Sequence, residues 1–488
     1  MIELILKPSY INLLLPNKKY RKKIRMKLTI WGAARQVTGS MHLLELQNGF
    51  KILVDCGLSY ENGKEGPSDY FPFNCSEIDL VILTHAHVDH SGNLPTLVKN
   101  GYQGQIICTP ATAQLTAILL NDTANILLSK MNTKRKNGRR RERNRPPIYL
   151  HKHVMDALER VVDWPADKNF KVDEHLSFTF VRAGHLLGAI AVVFTVIESG
   201  IEKKIGFTGD LGRKNYPTLK DPVPLIDLDY LVSESTYGGR FHSKEKTIEE
   251  VLTEVINETC IDSPGRLIIP AFSIGRTQAL IFLLDKLHNE GKIGNVPIYI
   301  DSPMAMQATS VYRRFSSELS DDAGLLYNEK VAIFDQPYLN FVENMAESKT
   351  LNKYSEPAVL VSSAGMLEGG RIQDHLYHNI QNYYCTLLFV GYCARGTLGR
   401  KLLDGAKTVR INDRDLHVFA TIKRTDQLSG HADHSDLIEY LSHANSERLK
   451  KVFLVHGEID SMENLQNDLI ANKFEQVILP KAGEVFEL

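Results

Sequence analysis

Thr84-His85-Ala86-His87-Val88-Asp89-His90 follows directly on the apolar run Leu80-Val81-Ile82-Leu83. Three imidazoles and a carboxylate stand within six residues at the end of what reads as a buried strand, and the rest of the chain is read from them. Neutral imidazole and carboxylate are the ligands of zinc sites that keep a position open for substrate. On a strand end His85 and His87 point to the same side, and the turn that follows swings Asp89 and His90 inward. One short segment thus offers ligands to two metals. The bland alternative, a polar loop of satisfied histidines, accounts poorly for so many ligands in so few positions.

Outward from this run the chain alternates strands and helices. Leu28–Trp31, His42–Leu46 and Lys51–Val54 read as a meander closed by Asp55-Cys56-Gly57, and Gln105–Cys108 as a short strand. A helix is expected over Pro110–Ser129, with Pro near its start. Strands follow at Leu176–Arg182, Ala189–Ile197, Lys204–Phe207 and Tyr230–Ser233. From about Gly238 the style becomes βαβα: helix Thr247–Thr259, strand Arg266–Ile269, helix Ser273–Leu287, strand Pro297–Ile300, then strands at Ala358–Val361 and Thr386–Val390. That pattern predicts a parallel sheet covered by helices. The domains expected are 26–237 and 405–488 as two parts of one unit, interrupted by an inserted domain at 238–404.

At 488 residues the chain exceeds one ordinary core. With 57 Lys and Arg against 58 Asp and Glu, bulk charge alone does not make it a nucleic-acid binder. Six cysteines without paired spacing read as reduced thiols of a cytoplasmic protein. Residues 1–25 carry an apolar run too short to span a bilayer, followed by a basic cluster, and are expected to be an appended, disordered extension. No other stretch is expected to cross a membrane.

His185, Asp210 and His456 each fall just past an expected strand, where Gly and Asp also favour plain turns. Together with the opening run they complete a dinuclear set. One metal would take His85, His87 and His185, the other would take Asp89, His90 and His456, and Asp210, with two oxygens, would bridge. Asp55, at another strand end, suits an outer acceptor that orients a ligand histidine.

At this point the chain resembles the metallo-β-lactamase fold hydrolases, through Asp55, His85-x-His87-x-Asp89-His90, His185 and Asp210. Ser233-Glu234-Ser235-Thr236-Tyr237-Gly238 is similar to the acidic motif that opens the inserted domain of the β-CASP nucleases. Ser429-Gly430-His431-Ala432-Asp433 is similar to their second motif, and Val455-His456-Gly457 to their third. Ile269–Arg276, Asp301–Ala305 and Gly391–Gly399 resemble loops of that insert. The resemblance runs from about residue 27 to the C-terminus and implies an αββα metallo-β-lactamase fold with an inserted parallel-sheet, Rossmann-like β-CASP domain. It also implies a ribonuclease of the bacterial or archaeal type, related to the eukaryotic pre-mRNA 3′-end processing endonuclease, with a homodimer among its expectations. No long C-terminal extension of the RNase J kind is seen, which weakens a processive 5′-end exonuclease.

The chemistry expected is hydrolysis of phosphodiester bonds in single-stranded RNA with two zinc ions per chain, manganese being the alternative such a His/Asp set admits. A hydroxide shared by ions about 3.5–4 Å apart would attack phosphorus in line and leave a 5′-phosphate and a 3′-hydroxyl. His431, with no vacancy among the ligands, would assist the departing oxygen, and Glu234 would hold its ring. These two and the ligand carboxylates Asp89 and Asp210 form the expected catalytic set. Thr236, Ser273, Arg276, Ser363 and Arg371 stand near strand ends or helix starts suited to phosphate, although the arginines could equally be plain surface residues. Lys134–Arg145, eight cations in twelve positions, would form a loose loop gripping an RNA backbone. Two other readings stay open: a hydrolase of a small ester or thioester, which leaves Glu234, His431 and the insert without a purpose, and a non-catalytic RNA-processing scaffold.

Overall fold

The computed structural model describes residues 25–59, 70–136, 147–243, 245–328, 333–354, 356–394, 396–444 and 447–488. Two seven-stranded sheets stack face to face. The first runs Glu484–Glu487, Lys27–Ile30, His42–Glu45, Lys51–Val54, Leu80–Ile82, Gln105–Cys108 and Val161–Asp163 in spatial order. The second runs Val477–Ile478, Lys451–Val455, Tyr230–Glu234, Ile201–Phe207, Ile190–Glu198, Leu176–Arg182 and Asn169–Lys171. Strand alternation sends Leu80 and Ile82 inward, onto Phe178, Phe194 and Phe207 of the facing sheet. Val81 and Leu83 go outward, under Leu94 and Leu97 of helix Leu94–Lys99. On the opposite outer face Leu231, Val452 and Leu454 lie under helices His434–Ser442 and Ile459–Ala471. The result is an αββα sandwich, each fully buried Leu or Phe stabilising it by roughly 1.5–3 kcal/mol.

A third sheet is parallel throughout, in the order Leu339–Phe341, Ile298–Asp301, Ala358–Ser362, Arg266–Pro270, Cys385–Phe389 and Thr421–Arg424. Its Leu267, Ile269 and Val361 face helices Ile248–Ile256, Arg276–Asn289 and Pro303–Arg314. Ile268, Leu360 and Phe389 face helices Ile372–Asn379 and Leu398–Leu403. This is the inserted domain, and the larger of its two cores takes in Ala86, Leu186 and Leu187 from the sandwich, so the domains share buried contacts.

The insert ends later than the expected boundary at 405. Hairpin Thr408–Ile411/Arg414–His417 packs Val409, Ile411 and Leu416 into the second core of the insert, and Thr421–Arg424 is the last strand of its sheet. That strand is an edge with no apolar run, so its sequence carries little strand signal. The helix from Pro110 extends to Lys136, beyond the expected Ser129. Residues 1–24 and 137–146, which include most of the expected N-terminal extension and of the basic loop, lie outside the described residues. Among the described residues no helix is long and apolar enough to cross a membrane.

Candidate metal centre

All the singled-out ligands leave one edge of the sandwich. In the first sheet Lys51–Val54 and Leu80–Ile82 are parallel neighbours, so Asp55 and the His85–His90 run emerge side by side. In the second sheet Ile201–Phe207, Tyr230–Glu234 and Lys451–Val455 are parallel neighbours, which brings Asp210, Glu234 and His456 to the same end. The loop between Leu176–Arg182 and Ile190–Glu198 adds His185 there. A hydrogen bond of 3.0 Å from Ile190 N–H to the Thr84 carbonyl closes the two sheets at this edge.

His87 Nδ1 lies 3.1 Å from His85 Nε2 and 3.2 Å from His185 Nε2, while His90 Nε2 lies 3.2 Å from His456 Nε2. Asp210 faces both groups. Its Oδ2 is 3.5 Å from His85 Nε2 and 3.6 Å from His185 Nε2, and its Oδ1 is 3.2 Å from His90 Nε2. Asp89 Oδ2 lies 3.5 Å from His456 Nε2. Donor atoms of His85, His87, His185 and Asp210 converge, as do those of Asp89, His90 and His456. Burial holds His85 and His185 well below the usual imidazole pKa and His87 down to about 4, so these rings present bare nitrogens. Against burial, Asp210 and Asp55 favour a positive charge at His90. Asp210 Oδ1 is buried without a hydrogen-bond partner. Neutral imidazoles at His85, His87 and His185, and two further histidines turned toward the buried carboxylates, suit divalent cations, so the residues present fit a metal centre.

The outward nitrogens of His90, His85 and His185 are held. Asp55 Oδ2 accepts from His90 Nδ1 at 2.7 Å and from the Thr84 hydroxyl at 2.8 Å, and Asp55 Oδ1 accepts from Thr84 N–H at 2.7 Å. With its proton given to Asp55, Thr84 Oγ1 accepts from His85 Nδ1 at 3.1 Å. His185 Nδ1 donates to the Gly430 carbonyl at 3.1 Å. These acceptors fix the tautomers that leave Nε2 free for metal. Asp55 and His456 sit at φ 61° and 51°, left-handed values uncommon for residues other than glycine and recurrent at functional sites. Gly57 admits no side chain, because a Cβ there would lie 1.6 Å from the Asp89 carbonyl oxygen.

Beside the ligands, His431 Nδ1 lies 3.1 Å from Glu234 Oε1. Glu234 is buried, and its oxygens also accept from Leu211 N–H at 2.6 Å and Thr236 N–H at 3.2 Å. Burial works against a charge on His431, but Glu234, with Asp210 and Asp89 behind it, outweighs burial and raises the imidazole to about 9. The His431 side chain remains 21% exposed, with its ring 4.5 Å from that of His185.

Two of the expected substrate contacts have other work. The Thr236 hydroxyl donates to the His456 carbonyl at 2.9 Å and accepts from its Nδ1 at 3.0 Å, so it orients that histidine. Arg371 donates to Asp301 Oδ1 at 2.6 Å and to the carbonyls of Val342 and Glu343 at 3.0 and 2.8 Å. It is a structural cation of the insert, because a buried carboxylate needs its partner. Ser273 and Ser363 do come together, 2.9 and 3.5 Å from Ser302 Oγ, at the carboxyl ends of three neighbouring strands. Arg276 lies in the seam between the domains, its Nε donating to the Leu428 carbonyl at 3.2 Å.

Thr84 and His242 escaped the sequence reading. Buried His242 donates from Nε2 to the His431 carbonyl at 3.0 Å, and its own N–H donates to Asp433 at 3.1 Å. Its one signal was position, eight residues after Glu234 in the loop that the acidic motif opens.

An αββα sandwich with a His/Asp metal centre on one edge and a parallel-sheet domain inserted beside it defines a metallo-hydrolase. Family models match the metallo-beta-lactamase superfamily over residues 34–254, the Beta-Casp domain over 277–402 and the Zn-dependent metallo-hydrolase RNA specificity domain over 415–480. Ribonuclease TTHA0252 of Thermus thermophilus is 33% identical over 465 residues, covering 94% of this chain and 99% of its own. The RNase J-like protein of Methanocaldococcus jannaschii is 31% identical, covering 88% of this chain and 92% of its own. Transcription termination factor FttA of Methanococcus maripaludis is 30% identical, with 92% of this chain and 70% of its own covered. A solved protein of unknown function from Enterococcus faecalis shares the fold, with a TM-score of 0.54 at 15% identity, over 95% of this chain and all of its own. The chain belongs to the β-CASP ribonuclease family of the metallo-β-lactamase superfamily.

Proposed function

We propose that the protein is a zinc-dependent ribonuclease that hydrolyses phosphodiester bonds of single-stranded RNA, endonucleolytic at least in part. The observation that carries this reading is the pairing of two functions at one edge. Asp210 faces both histidine groups, and the Glu234–His431 pair stands directly beside them. A small-ester hydrolase has no use for that second pair or for the insert. Relatives named as ribonucleases support the choice of RNA.

His85, His87 and His185 would hold one ion and Asp89, His90 and His456 the other, with Asp210 shared. Divalent ions in such a set draw charge from phosphoryl oxygens and lower the pKa of water. The protein's own groups do the rest. Glu234 accepts the Nδ1 proton of His431, fixes the ring and favours its cationic form, so Nε2 carries a proton for the departing 3′ oxygen. Asp55 and Thr84 keep His90 and His85 in the ligating tautomer, and Thr236 does the same for His456. Ser273, Ser363 and Arg276 at the insert's strand ends would receive phosphates of the RNA backbone.

The test uses zinc-loaded protein with a labelled single-stranded RNA and its DNA counterpart, beside His431→Ala and a chelated sample. Chelator-sensitive internal cuts that leave 5′-phosphates, and a drop of about 10²–10⁴-fold in His431→Ala with metal content unchanged, are expected. Equal loss of metal in that variant would refute the division of roles, and intact RNA in the metallated protein would refute the function.

A further inference from the structure

Two aromatic–arginine pairs occupy the seam between the inserted domain and the loops that carry His431 and His456. The Arg276 guanidinium sits over the Phe272 ring, 5.0 Å from its centroid, and Arg276 is tied to the Leu428 carbonyl three residues before His431. The Arg240 guanidinium sits over the Tyr392 ring at 5.6 Å and donates to Glu458, two residues after His456, at 3.0 Å. Phe272 follows strand Arg266–Pro270 and Tyr392 follows strand Cys385–Phe389, parallel neighbours that release both residues at the same sheet edge. Gly391 leaves room for this packing, since a Cβ there would lie 2.6 Å from the Arg276 guanidinium carbon.

Phe272 and Tyr392 nevertheless remain 39% and 37% exposed. A large ring held against a guanidinium is pre-oriented and loses little freedom when another flat group stacks on the pair. Every nucleobase offers a π face, so such stacking tolerates any sequence. A base inside a duplex is already stacked and paired, and cannot present that face.

We propose that Phe272 and Tyr392, backed by Arg276 and Arg240, stack unpaired bases flanking the scissile phosphate and so select single-stranded over duplex substrate. The inference rests on the ribonuclease reading and adds the base-contacting residues to it.

The test uses full-length, metal-loaded protein and one RNA sequence in three forms: unmodified, abasic at the nucleotides flanking the mapped cut, and duplex. Phe272→Leu and Tyr392→Leu remove the π faces while keeping apolar bulk, and Phe272→Tyr and Tyr392→Phe keep them. The leucine variants are expected to raise KM for unmodified RNA about 5- to 100-fold with kcat unchanged. The aromatic variants should keep the wild-type KM. Abasic RNA should show the raised KM already with wild-type protein, with little further rise in the leucine variants. If a leucine variant fails to fold, the abasic substrate on wild-type protein decides alone. Equal KM for abasic and unmodified RNA with wild-type protein would overturn the inference while leaving the nuclease intact. An equal rise on both substrates in the leucine variants would mark the rings as domain packing only and overturn it likewise. Failure of wild-type protein to cut any of the RNAs would overturn the ribonuclease reading and the inference with it.

Discussion

Asp55→Asn should loosen both halves of the metal centre at once. The carboxylate is 1% exposed and accepts three hydrogen bonds of 2.7–2.8 Å, one from the Thr84 amide, one from the Thr84 hydroxyl and one from His90 Nδ1. An asparagine can keep the amide contact through its carbonyl oxygen, but it then turns an NH2 toward the other two donors. His90 must present a bare Nδ1 to that NH2, which moves its proton to Nε2, the atom expected to meet metal. The Thr84 hydroxyl must turn away as well, and the Thr84–His85 hydrogen bond loses the orientation that leaves His85 Nε2 bare. Loss of an orienting partner costs about 10–100-fold in metal affinity, or about 1.4–2.7 kcal/mol, and here it applies to one ligand in each group. Thr84→Val breaks the relay to His85 alone and should weaken one group only. Chelator competition on the folded proteins, read by metal content, measures both. Wild-type metal retention in Asp55→Asn, at unchanged folding, would refute the tautomer argument.

Arg371→Leu should lower stability by about 3–5 kcal/mol, because it strips a buried carboxylate of its cation, while leaving cleavage of RNA by the folded fraction unchanged. Denaturant titration checks it, and a raised KM at unaltered stability would restore Arg371 as a phosphate contact. Asp301 also supports an acid-limb prediction. Burial alone would raise its pKa, yet hydrogen bonds from His375, Ser348 and Arg371 hold it below the usual carboxylate range. A folded pKa below the unfolded one means stability that is present above the unfolded value, about 3.8, and is lost as pH falls through the folded value. Unfolding midpoints between about pH 5 and pH 2.5 should therefore fall more steeply for wild type than for Asp301→Asn, and parallel curves would contradict this.

What the sequence determined was the chemistry-bearing inventory and the sandwich itself. His85, His87, Asp89 and His90 are legible because their ligand density and the preceding apolar strand are local signals. His185, Asp210 and His456 are each legible only as residues just past strands, and it is beside the His85–His90 run that they read as the missing ligands of a dinuclear set. The inner core follows the alternation of Leu80–Leu83 and Phe178–Phe180, which a period-two pattern announces. Tertiary structure decided the rest, since which donor a polar group meets depends on contacts between residues far apart in the chain, 70 for Arg371 and Asp301 and 220 for Thr236 and His456. Arg371 could have faced a cleft or a buried acid, and only the packing of helix Ile372–Asn379 on the sheet set it against Asp301. Thr236 reads as a free hydroxyl until parallel pairing of Tyr230–Glu234 with Lys451–Val455 lays it beside His456. Edge strand Thr421–Arg424 has no inward row of apolar side chains to betray it, so the end of the insert became visible only through its hydrogen-bonded partner strand.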